Sequence, residues 1–344
     1  MKNDMGLNIR QLRLAKNMTQ EQLGEKLSLS AQSVSKWENG VTLPDIQLLP
    51  ELSVILGVTI DELFTLTDET RFERIDNMLF DVRFLSDADF AQTERFLKEK
   101  YGEEATRAKA ALLLAQLYNK RADEYHQLAA PLAKRALLDN PDSKDAHNAI
   151  FDSDNGAYMD WNFTNHHKLI DWYKGFIRTH EDNFKAYLWL LDLLLADGRC
   201  AEAREYAEAM NRMDGQYHYL YYMSRICRAE GDFKAAEEWL EKLLNDYPDS
   251  WLTYVMYADE MAKQCRYDEA IEFYQKARPL RPQPPFVDCE EAMAHIYEIK
   301  GDYEKAISMY EAIIEMMKTQ WNETEGEGID LYLREIERLK KKKA

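Results

Sequence analysis

The sequence predicts an all-α protein: a small head of five short helices followed by a long superhelix of stacked helix pairs. Three observations predict it. Gly and Pro are scarce, 13 and 9 in 344 residues, too few for a turn-rich β protein. Apolar residues recur at three- and four-residue spacing along most of the chain. A period close to 34 residues runs through the second half, and a chain of this length exceeds one helical core. The expected domains are a head over 1–66, a helical linker over 67–104, about six repeats over 105–327 with the last four clearest, and a closing helix over 328–344.

The head comes first. Leu7, Ile9, Leu12 and Leu14 mark a first helix over about 7–16. Thr19 caps a second, with Gln22 three residues on in capping-box spacing, and Leu23 and Leu27 form its apolar side. Ser28-Leu29 supplies a tight turn, and Ser30 caps a third helix over 31–38. Val34 and Trp37 face inward there, which leaves Ala31, Gln32, Ser33, Ser35 and Lys36 outside. Asn39-Gly40 stops the helix. A fourth follows over about 45–56 and a fifth over 60–64. Two short helices joined by a tight turn let the second protrude, so that its first residues reach base edges in a major groove. Small side chains at that end permit close approach. Gln32 offers a paired donor and acceptor suited to adenine, and Lys36 a contact to guanine or phosphate. Gln20, in the first turn of the second helix, can hold a phosphate where the helix dipole helps.

The segments Ile9-Arg10-x-Leu12-Arg13, Thr19-Gln20-x-x-Leu23, Ser30-x-x-x-Val34-Ser35-x-Trp37-Glu38-Asn39-Gly40, Pro44, and Leu52-x-x-x-Leu56-Gly57-Val58-Thr59-x-x-Glu62-Leu63-Phe64 follow one another in fixed order. This set resembles the lambda-repressor/Cro-type (xenobiotic-response-element) helix-turn-helix family. The resemblance implies that Ala31, Gln32, Ser35 and Lys36 face bases and that Gln20, Ser33 and Asn39 hold phosphates. It also implies a structural pairing of Arg13 with Glu38. Ala31 departs from the pattern, since many relatives carry Gln or Thr there; it can offer only a methyl contact.

Charge divides the chain unevenly. Residues 1–40 carry a net +2, whereas the whole carries −18, so the body is strongly acidic. A weakly basic head grips phosphate weakly, which favours a homodimer with two heads on one double-stranded site. Cys200, Cys227, Cys265 and Cys289 form no CxxC pair and read as small buried hydrophobes in a reducing cytosol. The first residues lack an apolar signal region, and the longest greasy stretch, 187–196, is broken by Asp192 and too short to span a bilayer. A cytoplasmic protein with no membrane contact is expected.

Residues 65–69 read as a linker, followed by helices near 70–82 and 87–100. Farther on, four turns align: Gly198-Arg199-Cys200-x-x-Ala203, Gly231-Asp232-Phe233-x-x-Ala236, Cys265-Arg266-Tyr267-x-x-Ala270 and Gly301-Asp302-Tyr303-x-x-Ala306. Their spacings are 33, 34 and 36 residues, the extra two falling in the Pro-rich stretch 279–285. These residues resemble tetratricopeptide repeats. Upstream, 105–141 reads as a helix pair ending at Pro141 and 143–182 as another with an aromatic middle. The resemblance implies a concave wall carrying His218, Tyr221, Arg225, Arg228, Asp259, Lys263, Glu291, His295 and Glu298. Arg225 and Arg228, three apart on one face, can hold a carboxylate such as a peptide C-terminus; equally, these charges can pair within the chain.

No metal site, cofactor or catalytic constellation is expected. The stretch 152–156 fails as a calcium loop, because its glycine comes one position early and position twelve is Phe163. His166 and His167 are adjacent and cannot both ligate one ion. No phosphate loop, nucleophile elbow or zinc-helix motif occurs. The whole arrangement resembles bacterial repressor-type heads fused to repeat bodies, including cytosolic receptors for small signalling peptides. That implies a sequence-specific DNA-binding regulator whose repeats dimerise or sense a peptide or protein effector. The alternative is an interaction adaptor whose head docks it to DNA or a partner without a small effector.

Overall fold

The computed structural model describes residues 5–64, 68–214 and 216–343. Residues 65–67 of the expected 65–69 linker, together with Lys2, Asp4 and Ala344, lie outside these. All regular structure among the described residues is helical. The chain divides into two compact units, one of residues 1–79 and 86–118, the other of 80–85 and 119–344.

The first unit opens with α1 (Met5–Ala15), α2 (Gln20–Lys26) and α3 (Ala31–Glu38). Thr19 and Gln22 form the complete reciprocal capping box, the Thr19 hydroxyl accepting from Gln22 N at 3.1 Å and Gln22 Oε1 from Thr19 N at 2.8 Å. Ser30 caps α3 through a 3.2 Å bond from Ser33 N. The turn between α2 and α3 is tight because Gly24 lies against the Leu29 carbonyl; a Cβ there would come within 2.7 Å of it. A 3₁₀ turn (Ile46–Leu48) leads into α4 (Leu49–Leu56), and α5 (Ile60–Leu63) closes the head. Ile9, Leu23, Val34, Trp37, Leu52, Leu56 and Leu63 meet in its core. Next come α6 (Asp68–Asp81), α7 (Asp87–Tyr101) and α8 (Arg107–Asp139), which bury Phe72, Leu97, Leu113 and Leu117.

One expectation fails here. Residues 105–141 hold one continuous helix of 33 residues, not a pair. The stretch contains no glycine or Asn-Gly stop, and its Ala, Leu, Lys and Arg content favours propagation. Pro131 removes a single backbone donor within α8 without ending it.

The second unit continues through α9 (Lys144–Ser153), the one-turn α10 (Trp161–Thr164) and α11 (His167–Thr179). Four antiparallel pairs follow: α12 (Phe184–Ala196) with α13 (Cys200–Asp214), α14 (Gln216–Ala229) with α15 (Phe233–Asp246), α16 (Trp251–Lys263) with α17 (Tyr267–Ala277), and α18 (Asp288–Ile299) with α19 (Tyr303–Met316). A π turn (Met317–Trp321) precedes the closing α20 (Glu327–Lys343).

The aligned turns explain the pairs. Gly198, Gly231, Cys265 and Gly301 all take the left-handed conformation, with φ of 69°, 86°, 59° and 77°. That conformation reverses the chain directly after each first helix. Ala203, Ala236, Ala270 and Ala306, five residues on, are fully buried; a methyl there lets the paired helices approach closely. The Pro-rich insertion is clamped by Arg281, whose guanidinium makes two bonds of 2.6 and 3.0 Å to the buried Glu290. Of the cysteines, Cys227 and Cys289 are buried as expected, Cys200 is half-buried and Cys265 is exposed.

Candidate nucleic-acid interface

α3 is held by its buried face. Val34 and Trp37 enter the core, and Glu38 at its last turn receives the Arg13 guanidinium from α1 through two bonds of 2.6 and 2.8 Å. A third Arg13 bond, 2.6 Å to the Met18 carbonyl, ties in the α1–α2 connection. Gln20 Nε2 at the start of α2 donates to Glu38 Oε2 at 2.8 Å. One carboxylate therefore gathers the first three helices. Burial alone would push the Glu38 carboxyl up. The bonds from Arg13 and Gln20 outweigh it and hold the group below its ordinary value.

The opposite face of α3 is open. Gln32 and Lys36, one turn apart, are exposed, whereas Ala31, Ser33 and Ser35 are half-buried beside them. Several of the hydroxyls and amides already have local partners. The Ser30 and Ser33 hydroxyls lie 3.0 Å apart, and Asn39 Nδ2 donates to the Ser35 carbonyl at 2.8 Å and to its hydroxyl at 3.2 Å. Gln20 retains one amide hydrogen beyond its bond to Glu38. Gln32 and Lys36 thus stand out as the long side chains with reach, on a helix whose position is fixed from behind.

The repeat residues fall into a different pattern. Tyr221 is buried, its hydroxyl donating to Glu260 Oε1 at 3.2 Å. Lys263 donates to the same oxygen at 3.0 Å. Arg225 bonds Asp192 and also stands 3.9 Å from Glu260. Arg228 lies 3.9 Å from Glu260 and 3.8 Å from Glu237, with its Nε and Nη2 buried and lacking a hydrogen bond. Asp259, raised by burial, accepts from the Tyr274 hydroxyl at 2.5 Å. Glu291 accepts from the Tyr332 hydroxyl, and Glu298 from Arg338 and Lys342. His218 packs its ring edge-on to Phe184 at 5.1 Å, and His295 is exposed. The arginine pair therefore sits in an internal ion network.

Asp192 and Glu260 organise that network and escaped the sequence reading. Their signal was the repeat period itself: Asp192 and Arg225 are 33 residues apart, the spacing of their two turns, so they occupy equivalent places in successive helix pairs, and Glu260 falls one residue past the corresponding place in the next. Among the described residues no group of three or more His, Cys, Asp or Glu stands where it could hold a metal ion, and no helix is long and apolar enough to cross a membrane.

Comparison with known proteins agrees with this division. The helix-turn-helix family profile matches residues 9–63, and tetratricopeptide-repeat profiles match 228–288 and 291–317. The head is 40% identical over 72 residues to an uncharacterized HTH-type transcriptional regulator, y4dJ, of Sinorhizobium fredii, a match over 21% of this chain and 94% of that protein. It is 47% identical over 57 residues to the HTH-type transcriptional activator BcrR of Enterococcus faecalis; 17% of this chain is matched, and it spans only 28% of that activator's length. A solved structure of PlcR from Bacillus thuringiensis, in complex with the peptide PapR7 and DNA, aligns over 87% of this chain and 98% of that one, at 12% identity and a TM-score of 0.26.

Proposed function

The chain belongs to the helix-turn-helix transcriptional regulators, and we propose that it binds a specific double-stranded DNA site as a homodimer in the cytoplasm, with α3 in the major groove. Gln32 reads adenine, Lys36 meets guanine or phosphate, and Ala31 and Ser35 give shape contacts. Gln20, Ser30, Ser33 and Asn39 position the backbone. The repeat groove takes a peptide or protein effector whose binding alters the spacing of the two heads, and the chain performs no catalysis. One observation carries the DNA reading: Gln32 and Lys36 point outward from a helix that Arg13, Gln20 and Glu38 lock in place. The test is a selection of binding sites from random DNA, followed by Gln32→Ala. That variant should lose about 1–3 kcal/mol on the selected site and almost nothing on random DNA. Equal losses on both would remove Gln32 from base readout.

A second reading is the adaptor without a small effector. It draws support from Arg225 already being paired with Asp192. Titration with peptide pools separates the two, since an effector-driven regulator changes its operator affinity and an adaptor does not.

A further inference from the structure

The segment joining α9 to α11 carries a set of apolar side chains that the chain itself leaves open. Met159 is 97% exposed, Trp161 75% and Phe163 68%. On α11, Leu169 is 46% exposed and Trp172 58%. Two of these groups, Phe163 and Trp172, are held by ring contacts. The Tyr158 ring lies 5.6 Å from Phe151 and stacks on Phe163 at 5.3 Å, and its hydroxyl donates to Asp152 at 2.6 Å. Gly156 lies flat on Phe151, where an added Cβ would come within 2.4 Å of the ring. Trp172 stacks on Phe176 at 5.5 Å, and Phe176 on His180 at 4.2 Å. Rigid aromatic anchors presented to solvent mark an interaction surface.

We propose that this face binds the same face of a second copy of the chain about a two-fold axis. Charge selects that partner. In a chain of net −18, residues 157–176 contain two lysines and two aspartates, a net of zero. A two-fold interface sets a patch against its own copy, so a locally neutral patch is the place where two acidic bodies can meet without like-charge repulsion. Area agrees. With about 150–250 Å² for a fully buried aromatic ring, the five exposed side chains offer about 600 Å² per copy, which doubles to the lower range of specific interfaces. The contact would couple two heads, so it deepens the regulator reading, but its test needs no DNA.

Sedimentation of the full chain should give a dimer at micromolar concentration. Trp161→Glu with Phe163→Glu should raise the dimer dissociation constant by about 30-fold or more, as loss of buried anchors does, with unchanged helical circular dichroism. Hydrogen exchange on the unaltered protein supplies a readout free of folding defects: residues 158–172 should gain protection as concentration rises through the dissociation constant. A monomeric native chain, including one that instead co-sediments with phosphatidylglycerol vesicles, overturns the proposal. So does a double variant that dimerises as well as the native chain, or exchange at 158–172 that ignores concentration. Loss of the regulator reading would show separately, as a dimer that grips no duplex at low salt.

Discussion

At the residue scale the repeat turns expose a conflict that the chain tolerates once. Three of the four aligned turns place glycine in the left-handed region, and the fourth places Cys265 there at φ 59°. A side chain in that conformation costs about 1–2 kcal/mol, part of which the flexibility of a glycine in the unfolded chain would cancel. Cys265→Gly should therefore stabilise the protein by about 0.5–1 kcal/mol in urea unfolding at constant m-value. A loss of stability would mean that the contact between the Tyr267 hydroxyl and Cys265 Sγ, 3.4 Å apart, outweighs the strain. The alignment that located this turn in the sequence relied on the aromatic and alanine that follow it, so the cysteine did not hide it. Its exposure was not legible, because a cysteine inside an apolar rhythm reads as core. Pairing of Arg225 with Asp192 was hidden for a related reason: the partners sit on different helix pairs, and helical periodicity reports only neighbours on one helix.

At the element scale α3 depends on a single carboxylate. Glu38 lies below its ordinary value in the folded head, so its contribution is present above the unfolded carboxylate value and disappears as pH falls through the folded one. Glu38→Gln leaves the buried, still charged Arg13 guanidinium without its counter-charge and should cost about 3 kcal/mol at pH 7. The gap between variant and native protein should then narrow below about pH 4, as the native carboxyl itself takes up a proton. Thermal unfolding followed by Trp37 fluorescence, with the other tryptophans replaced by phenylalanine, measures both. A gap that stays constant down to pH 2 would show that the pair adds nothing beyond packing. Capping signals made this head readable almost residue by residue: Thr19, Gln22, Ser30 and Gly57 sit where the helices begin and end. α8 was not readable in the same way. A long run of good helix formers without a stop residue gives no clue to where a turn ought to fall, and Pro131 alone does not decide it.

At the scale of the whole molecule the outstanding quantity is the charge of −18, because a duplex must approach this chain against it. Among the described residues of the head the exposed cations are Arg10, Lys16, Lys26 and Lys36, and the proposed contacts other than Lys36 are amides, hydroxyls and a methyl, which release no counterions. With about two phosphates neutralised per head, a dimer should show a slope of about −4 in a plot of log affinity against log salt. The body bends that line. At about 0.1 M salt its charge is screened beyond about 10 Å, but at about 0.01 M the screening length reaches about 30 Å, and repulsion from the acidic repeats then opposes binding. The plot should flatten at low salt rather than continue to rise. Lys36→Gln should lower the slope of its linear part by about 1 per head, or about 2 for a dimer, while Gln32→Ala leaves the slope unchanged and lowers only affinity for the selected site. The two substitutions lie one turn apart on the same face, so their responses separate charge from base readout on one surface. A slope indifferent to Lys36 would mean that phosphate never comes within reach of α3, and the helix would then have to act against a protein surface instead of a groove.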